Sequence, residues 1–150
     1  MKKKITQLLA SLLLILIVSS CNNEPNHMSA VQLNNGELWE ANIETTQGIQ
    51  QMQKLIKEHE LQNKMEGIMT EASNSEKIEN YHSINNELKK EFNLIIKSCS
   101  MDGEAHEQLH NYIKPMLGMF ATIDGDNIEL IERDYEALKA QLGAYSSYFR

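Results

Sequence analysis

The chain has 150 residues and a formal charge of −7, from 14 Lys and Arg against 21 Asp and Glu. Loss of Lys2, Lys3 and Lys4 with an N-terminal leader takes that −7 to −10. Such a balance excludes a nucleic-acid partner, whose phosphates need clustered Lys and Arg, and a basic membrane-hugging surface. With 6% aromatic residues, 7 Gly and 2 Pro it also excludes a strand-rich sandwich, and the length suits one domain.

Residues 1–20, MKKKITQLLASLLLILIVSS, read as a secretory signal peptide. Lys2 to Lys4 form its positive end, and Leu8 to Val18 an apolar core. That core is too short for a bilayer, which takes about 20 apolar residues. Val18-Ser19-Ser20-Cys21 then resembles a bacterial lipobox, with Cys21 as the lipidated first residue. The expected location is the cell envelope, anchored in the membrane through lipid on Cys21. Asn22 after that cysteine points to the outer membrane. Residues 21–38 are expected to be the lipidated cysteine and a flexible tether, with Asn34-Asn35-Gly36 a turn signal. The folded unit is assigned to 39–150.

From Trp39 the pattern turns helical. Trp39, Ile49, Met52, Ile56 and His59 largely keep the spacing of three and four that one helix face requires. Over 60–74 the phase is lost. Leu61, Met65, Ile68 and Met69 suggest a short helical piece, while Gly67 and Ser73-Asn74-Ser75 read as connection. Ser73 and Glu76 have capping-box spacing and open the second helix. Ile78, Tyr81, Ile84, Leu88, Phe92, Ile95 and Cys99 hold its inward face. Asp102 is the expected cap of the third helix, with His106, Leu109, His110, Ile113, Leu117 and Phe120 on one side and a kink at Pro115. Asp124-Gly125-Asp126 ends it. The fourth is expected to run through Ile128, Ile131, Tyr135, Leu138, Leu142, Tyr145 and Phe149. Four amphipathic helices with short connections predict an all-α, antiparallel up-down four-helix bundle.

Chemistry concentrates in residues 99–110. There a thiol (Cys99), a thioether (Met101) and two imidazoles (His106 and His110) fall within twelve residues. His106 and His110 are one turn apart on the same helix face. Cys99 ends the preceding helix, so a tight turn brings it toward them. Thiolate with thioether suits Cu(I), and Cys with His suits Zn(II). Asp102 and Glu107 are alternative zinc partners. The structural alternative has Cys99 as a small core residue, Met101 covering the bundle end and the histidines bonding across helices. With Cys21 lipidated, however, Cys99 has no intramolecular thiol partner.

Weaker features are read structurally. The other methionines are expected in the core. His59 and His82, near the opposite end, are expected to be solvated. Cys-x-x-Cys-His is absent, which excludes haem attached in the c-type manner. Glu107-x-x-His110 finds a second copy only in Glu79-x-x-His82, near the other end, so a di-iron site is not expected. There is no Gly-rich phosphate loop and no nucleophile elbow. A Cys99–His pair as nucleophile and base is disfavoured at a helix C-terminus, where the dipole opposes a thiolate. No enzymatic activity is expected.

The run Cys99-Ser-Met-Asp-Gly-Glu-Ala-His106-Glu-Gln-Leu-His110, followed by Pro115, together with Leu38-Trp39-Glu-Ala-Asn42, resembles a group of small exported helical-bundle lipoproteins from Bacteroidetes-type bacteria. A Cys-x-Met, Ala-His-x-x-Leu-His pattern recurs in that group. The resemblance spans about residues 33–150 and implies the fold and export, without a particular activity. The function expected from the residues is binding of a soft metal ion, as chaperone, buffer or sensor. The competing expectation is a structural or interaction lipoprotein that docks an envelope partner.

Overall fold

The computed structural model describes residues 31–67 and 72–150. The expected signal peptide, Cys21 and most of the tether lie outside the described residues, as do Ile68 and Met69. The described chain is all-helical. Its four α-helices are α1 (Ile43–Glu66), α2 (Asn74–Ser98), α3 (Gly103–Ile123) and α4 (Ile128–Gly143), followed by a single 3-10 turn at Tyr145–Ser147. Among the described residues, β pairing is limited to two isolated bridges, Asn34 with Glu37 and Trp39 with Phe149. No described helix is long and apolar enough to cross a membrane.

Local chemistry explains most of the boundaries. Ser73 and Glu76 form the expected capping box, each side chain satisfying the other's backbone N–H. Asn127 caps α4 by accepting from the N–H groups of Glu129 and Leu130. Asp102 occupies the cap position of α3, but its side chain makes no capping bond. Gly67 ends α1 in the left-handed conformation (φ +67°), where only glycine is unstrained. The third helix runs on from Gly103 to Ile123 through Pro115.

Three boundaries differ from the sequence reading. First, α1 does not stop near residue 60 but continues to Glu66. The face defined by Ile49, Met52 and Ile56 is carried on by half-buried His59 and buried Asn63, while Leu61 and Met65 are exposed. The hydrophobic pattern loses phase because polar residues have taken the inward positions. Second, α4 ends at Gly143, so Tyr145 and Phe149 belong to a separate C-terminal segment. Their rings stack with centroids 5.2 Å apart and both abut Tyr112. Third, the chain before Trp39 is anchored to the folded unit at Val31, while residues 32–37 are exposed. Val31 is buried in the core, and Asn34 and Glu37 exchange two 2.9 Å backbone bonds across Asn35-Gly36. Both turn residues have positive φ, 52° and 93°, as the Asn-Gly signal demands.

That segment is stapled to the C-terminus. The Trp39 N–H donates to the Tyr148 carbonyl (2.8 Å), and the Arg150 N–H donates to the Trp39 carbonyl (3.0 Å). The Trp39 indole N–H donates to the Gln32 carbonyl (2.6 Å). The Gln32 N–H in turn donates to Gln108 Oε1 (2.8 Å), which ties the segment to the start of α3.

Helix α1 packs most extensively on α2, and α3 on α4. Asn42, just before α1, bonds the Ser98 carbonyl at the end of α2, whereas His59, late in α1, reaches Asn80, early in α2. Between α3 and α4, the buried Tyr112 hydroxyl donates to the Gln141 carbonyl and the Gln141 amide donates to the Tyr112 carbonyl. Each partner thus satisfies the other in an otherwise apolar layer.

Gly48 sets the closeness of α1 and α2. A Cβ there would overlap Ile95 Cγ1 and lie 2.9 Å from its Cδ1, and Ile95 is fully buried. Gly to Ala in a helix gains about 1 kcal/mol in propensity. Overpacking a core costs typically about 1–3 kcal/mol. Gly48→Ala should therefore lower the melting temperature of the native protein. In an Ile95→Ala background the same change should raise it, because only the propensity gain is left. Thermal melts of the four proteins check this reversal of sign. A stabilising Gly48→Ala in the native background would contradict the close approach.

Candidate functional site

The sequence-selected residues lie at the junction of α2 and α3. Cys99 is the C-terminal cap residue of α2; its thiol is free and half-buried against the edge of the core. Its Sγ stands 3.5 Å from His106 Nδ1. The His106 ring lies against that of His110, with centroids 4.4 Å apart and planes at 53°. His106 is half-buried and His110 exposed, so the pair leads from the thiol to solvent. Met101 is half-buried against the core. The fold thus joins Cys99, His106 and His110 in a row and places Met101 in the turn beside them. Among the described residues, however, no group of three or more His, Cys, Asp or Glu side chains is disposed to hold a metal ion. Asp102 and Glu107 are exposed.

Trp39, Tyr145 and Tyr148 lie at this same end of the helices. The Trp39 N–H bonds Tyr148, and the Tyr145 hydroxyl lies 2.9 Å from Thr46 Oγ1 near the start of α1. These contacts hold the N- and C-terminal segments over the bases of α1 and α3.

The opposite end is more organised than the sequence suggested. His59 is not solvated. Its Nδ1 is 2.9 Å from the Tyr135 hydroxyl on α4, and its Nε2 is 2.6 Å from Asn80 Oδ1 on α2. Asn63 donates to the same Asn80 oxygen at 3.0 Å. The rings of His59, Tyr81 and Tyr135 pack together with centroids 5.0–6.1 Å apart. His82 lies apart from this group, its Nε2 2.9 Å from the Gly125 carbonyl. The sequence did hold a signal for the cluster. His59 and Asn63 sit four residues apart, in phase with the stripe above them.

Burial dominates the titration of this end. It holds the His59 imidazole below its ordinary value, against the Asn80 bond and the nearby carboxylates of Glu60 and Glu87, which act the other way. Burial first, then Glu132 and Glu136, raises the Tyr81 phenol to about 12. Burial with Glu60 also raises Tyr135. Both phenols therefore stay protonated and available as donors at neutral pH.

No family model matches the chain, and no curated protein or solved structure does so either. The site is therefore read from its own geometry.

The depressed His59 value fixes a pH dependence. The unfolded imidazole takes up a proton near pH 6.5, about where a free histidine does, and the folded one only at lower pH. The contribution of neutral His59 is complete above that pH and declines as pH falls below it. His59→Gln should flatten the loss of stability between about pH 6.5 and 5. Urea unfolding of both proteins at pH 7.5 and 5.5 measures the difference. Parallel losses in the two would place His59 in solvent.

Proposed function

We propose that this chain is a lipid-anchored, non-enzymatic protein of the cell envelope that binds a soft metal ion at the α2–α3 junction. Cys99, Met101, His106 and His110 are the proposed ligands, with Cu(I) preferred over Zn(II), and the role that of chaperone, buffer or sensor. Export, the lipid on Cys21 and an outer-membrane location are part of this proposal and rest on the N-terminal sequence and on the resemblance to small envelope lipoproteins. An up-down-up-down helix order also belongs to it, supported by the pairing of Asn42 with Ser98 and of His59 with Asn80.

The observation that carries the reading is the 3.5 Å separation of Cys99 Sγ and His106 Nδ1. A tetrahedral ion with a metal–sulfur bond of about 2.3 Å and a metal–nitrogen bond of about 2.0 Å keeps those atoms about 3.5 Å apart. A third ligand would come from His110, already in ring contact with His106, or from Met101 in the turn. A rotation of the exposed His110 side chain costs little. The thioether of Met101 favours Cu(I), since soft sulfur donors select it.

A second reading is supported by exposed apolar side chains on the adjoining helices. Leu94 and Ile96 on α2 and Leu117 on α3 are exposed, and Leu117 lines a groove with Phe92 and Phe120. In that reading the protein docks an envelope partner through α2 and α3, and Cys99 is structural.

Metal retention separates the two. Purified protein loaded anaerobically with Cu(I), or separately with Zn(II), and then desalted should keep about one equivalent and gain thermal stability. Cys99→Ser and the His106→Ala, His110→Ala double variant should lose both effects. No retention, or retention unchanged in the variants, would exclude the metal site and leave the docking surface, to be pursued by cross-linking in intact cells.

A further inference from the structure

We propose that the face shared by α2 and α3 docks on an anionic lipid surface, that of the bilayer which holds the lipid of Cys21. Two contacts mark the length of this face. Lys89 on α2 holds Asp124, just past the end of α3, at 2.7 Å, and Cys99 at the end of α2 stands 3.5 Å from His106 near the start of α3. From Lys89 to Cys99 the helix rises about 15 Å at 1.5 Å per residue. Asn93 and Ile96 follow Lys89 at steps of four and three. On α3, His110, Lys114, Leu117 and Ala121 keep the same steps, so each set shares one side of its helix.

Between the two helices runs a groove of about 250 Å³ with a floor of Phe92 and Phe120, whose rings meet edge to face at 5.2 Å. Ile96 and Leu117 beside it are 45% and 55% exposed. Around them stand the exposed Lys90, Lys97 and Lys114. Among the described residues none of these three enters an ion pair, whereas Lys89, Lys139, Arg133 and Arg150 are all held by carboxylates. The carboxylate in the groove, Asp124, is neutralised by Lys89, and Glu107 stands at the edge, three residues before His110. The net charge of −7 excluded a basic membrane surface for the chain as a whole. The fold nevertheless gathers one locally, by bringing lysines of two helices to one side.

The occupant is selected by charge, by composition and by reach. Three unpaired ammonium groups call for a negative surface. Two exposed apolar side chains set among lysines are few for a stable protein interface, whose centre is depleted in Lys. They suit a lipid surface, where shallow insertion of apolar side chains adds to lysine–phosphate attraction. The reach comes from the sequence. Cys21 precedes Val31 by ten residues, which span at most about 35 Å. Val31 is buried in the core, and Gln32 bonds Gln108 in the first turns of α3. A lipid on Cys21 therefore keeps the α2–α3 end of the protein within that distance of the bilayer. The proposal rests on that lipid and not on the metal site.

Lysine footprinting tests it. The metal-free, lipidated protein is placed in vesicles of phosphatidylglycerol or of phosphatidylcholine, treated briefly with an amine-acetylating reagent and read by mass spectrometry. Lys90, Lys97 and Lys114 should react more slowly on the anionic vesicles, and Lys57 and Lys64, exposed on α1, equally on both. Salt near 1 M, where screening acts within about 3 Å, should remove the difference. Lys97→Gln should lower the docked-to-free ratio, read at Lys90 and Lys114, about fivefold, the worth of one lysine at an anionic surface. Leu117→Asp should lower it as well, without lowering the melting temperature. Equal reactivity on the two vesicles would overturn the proposal. So would protection seen in intact cells but on neither vesicle, which would assign the face to an acidic protein. The same spectra report the mass of the Cys21 peptide. A bare Cys21 would overturn the anchor and the proposal together, whereas equal reactivity in a lipidated chain would overturn the docking face alone.

Discussion

The structure depends on how one helix face is filled. Along α1, Ile49, Met52 and Ile56 are buried against α2, and the same face continues into His59 and Asn63. A helix can be longer than its hydrophobic stripe only if the polar groups that follow find partners inside the protein. Here both nitrogens of His59 and the amide nitrogen of Asn63 do, through Asn80 on α2 and Tyr135 on α4. That requirement fixes which residues of three helices face one another. Gly48 adds the distance, because its missing Cβ lets Ile95 pack against the α1 backbone.

The two ends of the helices solve different problems. At the base of α1, polar backbone is satisfied by chain termini. The segment before α1 and the segment after α4 bond each other through Trp39, Tyr148 and Arg150, and Gln32 reaches Gln108 on α3. Cys99, His106 and His110 emerge beside this clasp, with a gradient from half-buried thiol to exposed imidazole. At the other end, beside His59 and Asn63, an aromatic-walled cavity is left. Partly exposed soft donors suit an ion that must be delivered and removed.

Much of this was legible in the sequence. The Ser73–Glu76 box, the Asn35-Gly36 turn and the stripe of α2 follow local rules and lie where those rules put them, whereas on α3 the expected Leu117 and His110 are exposed and Tyr112, Met116 and Met119 are buried. The contact of Cys99 with His106 was legible too, from a short turn between two in-phase helix ends. What was hidden depended on long-range contacts. Val31 belongs to the core, which no local pattern around residues 31–38 announces. Phe149 packs through its ring on Tyr112 outside any helix, although its spacing continues that of α4. The run past His59 was misleading because periodicity scores apolar residues, and here the buried positions are an imidazole and an amide. Their partners, Asn80 and Tyr135, are 21 and 76 residues away from His59.

The state of the His59 ring tests this account most directly. Nitrogen-15 NMR of the imidazole side chains reports tautomer and protonation residue by residue. The account predicts that Asn80 and Tyr135 hold His59 in a single tautomer and that it takes up a second proton only below pH 6.5, the ordinary imidazole value. A ring that exchanges between tautomers and titrates near that value would contradict it. The end of α1 would then be solvated, and both the polar continuation of its inner face and the cavity built on it would fall.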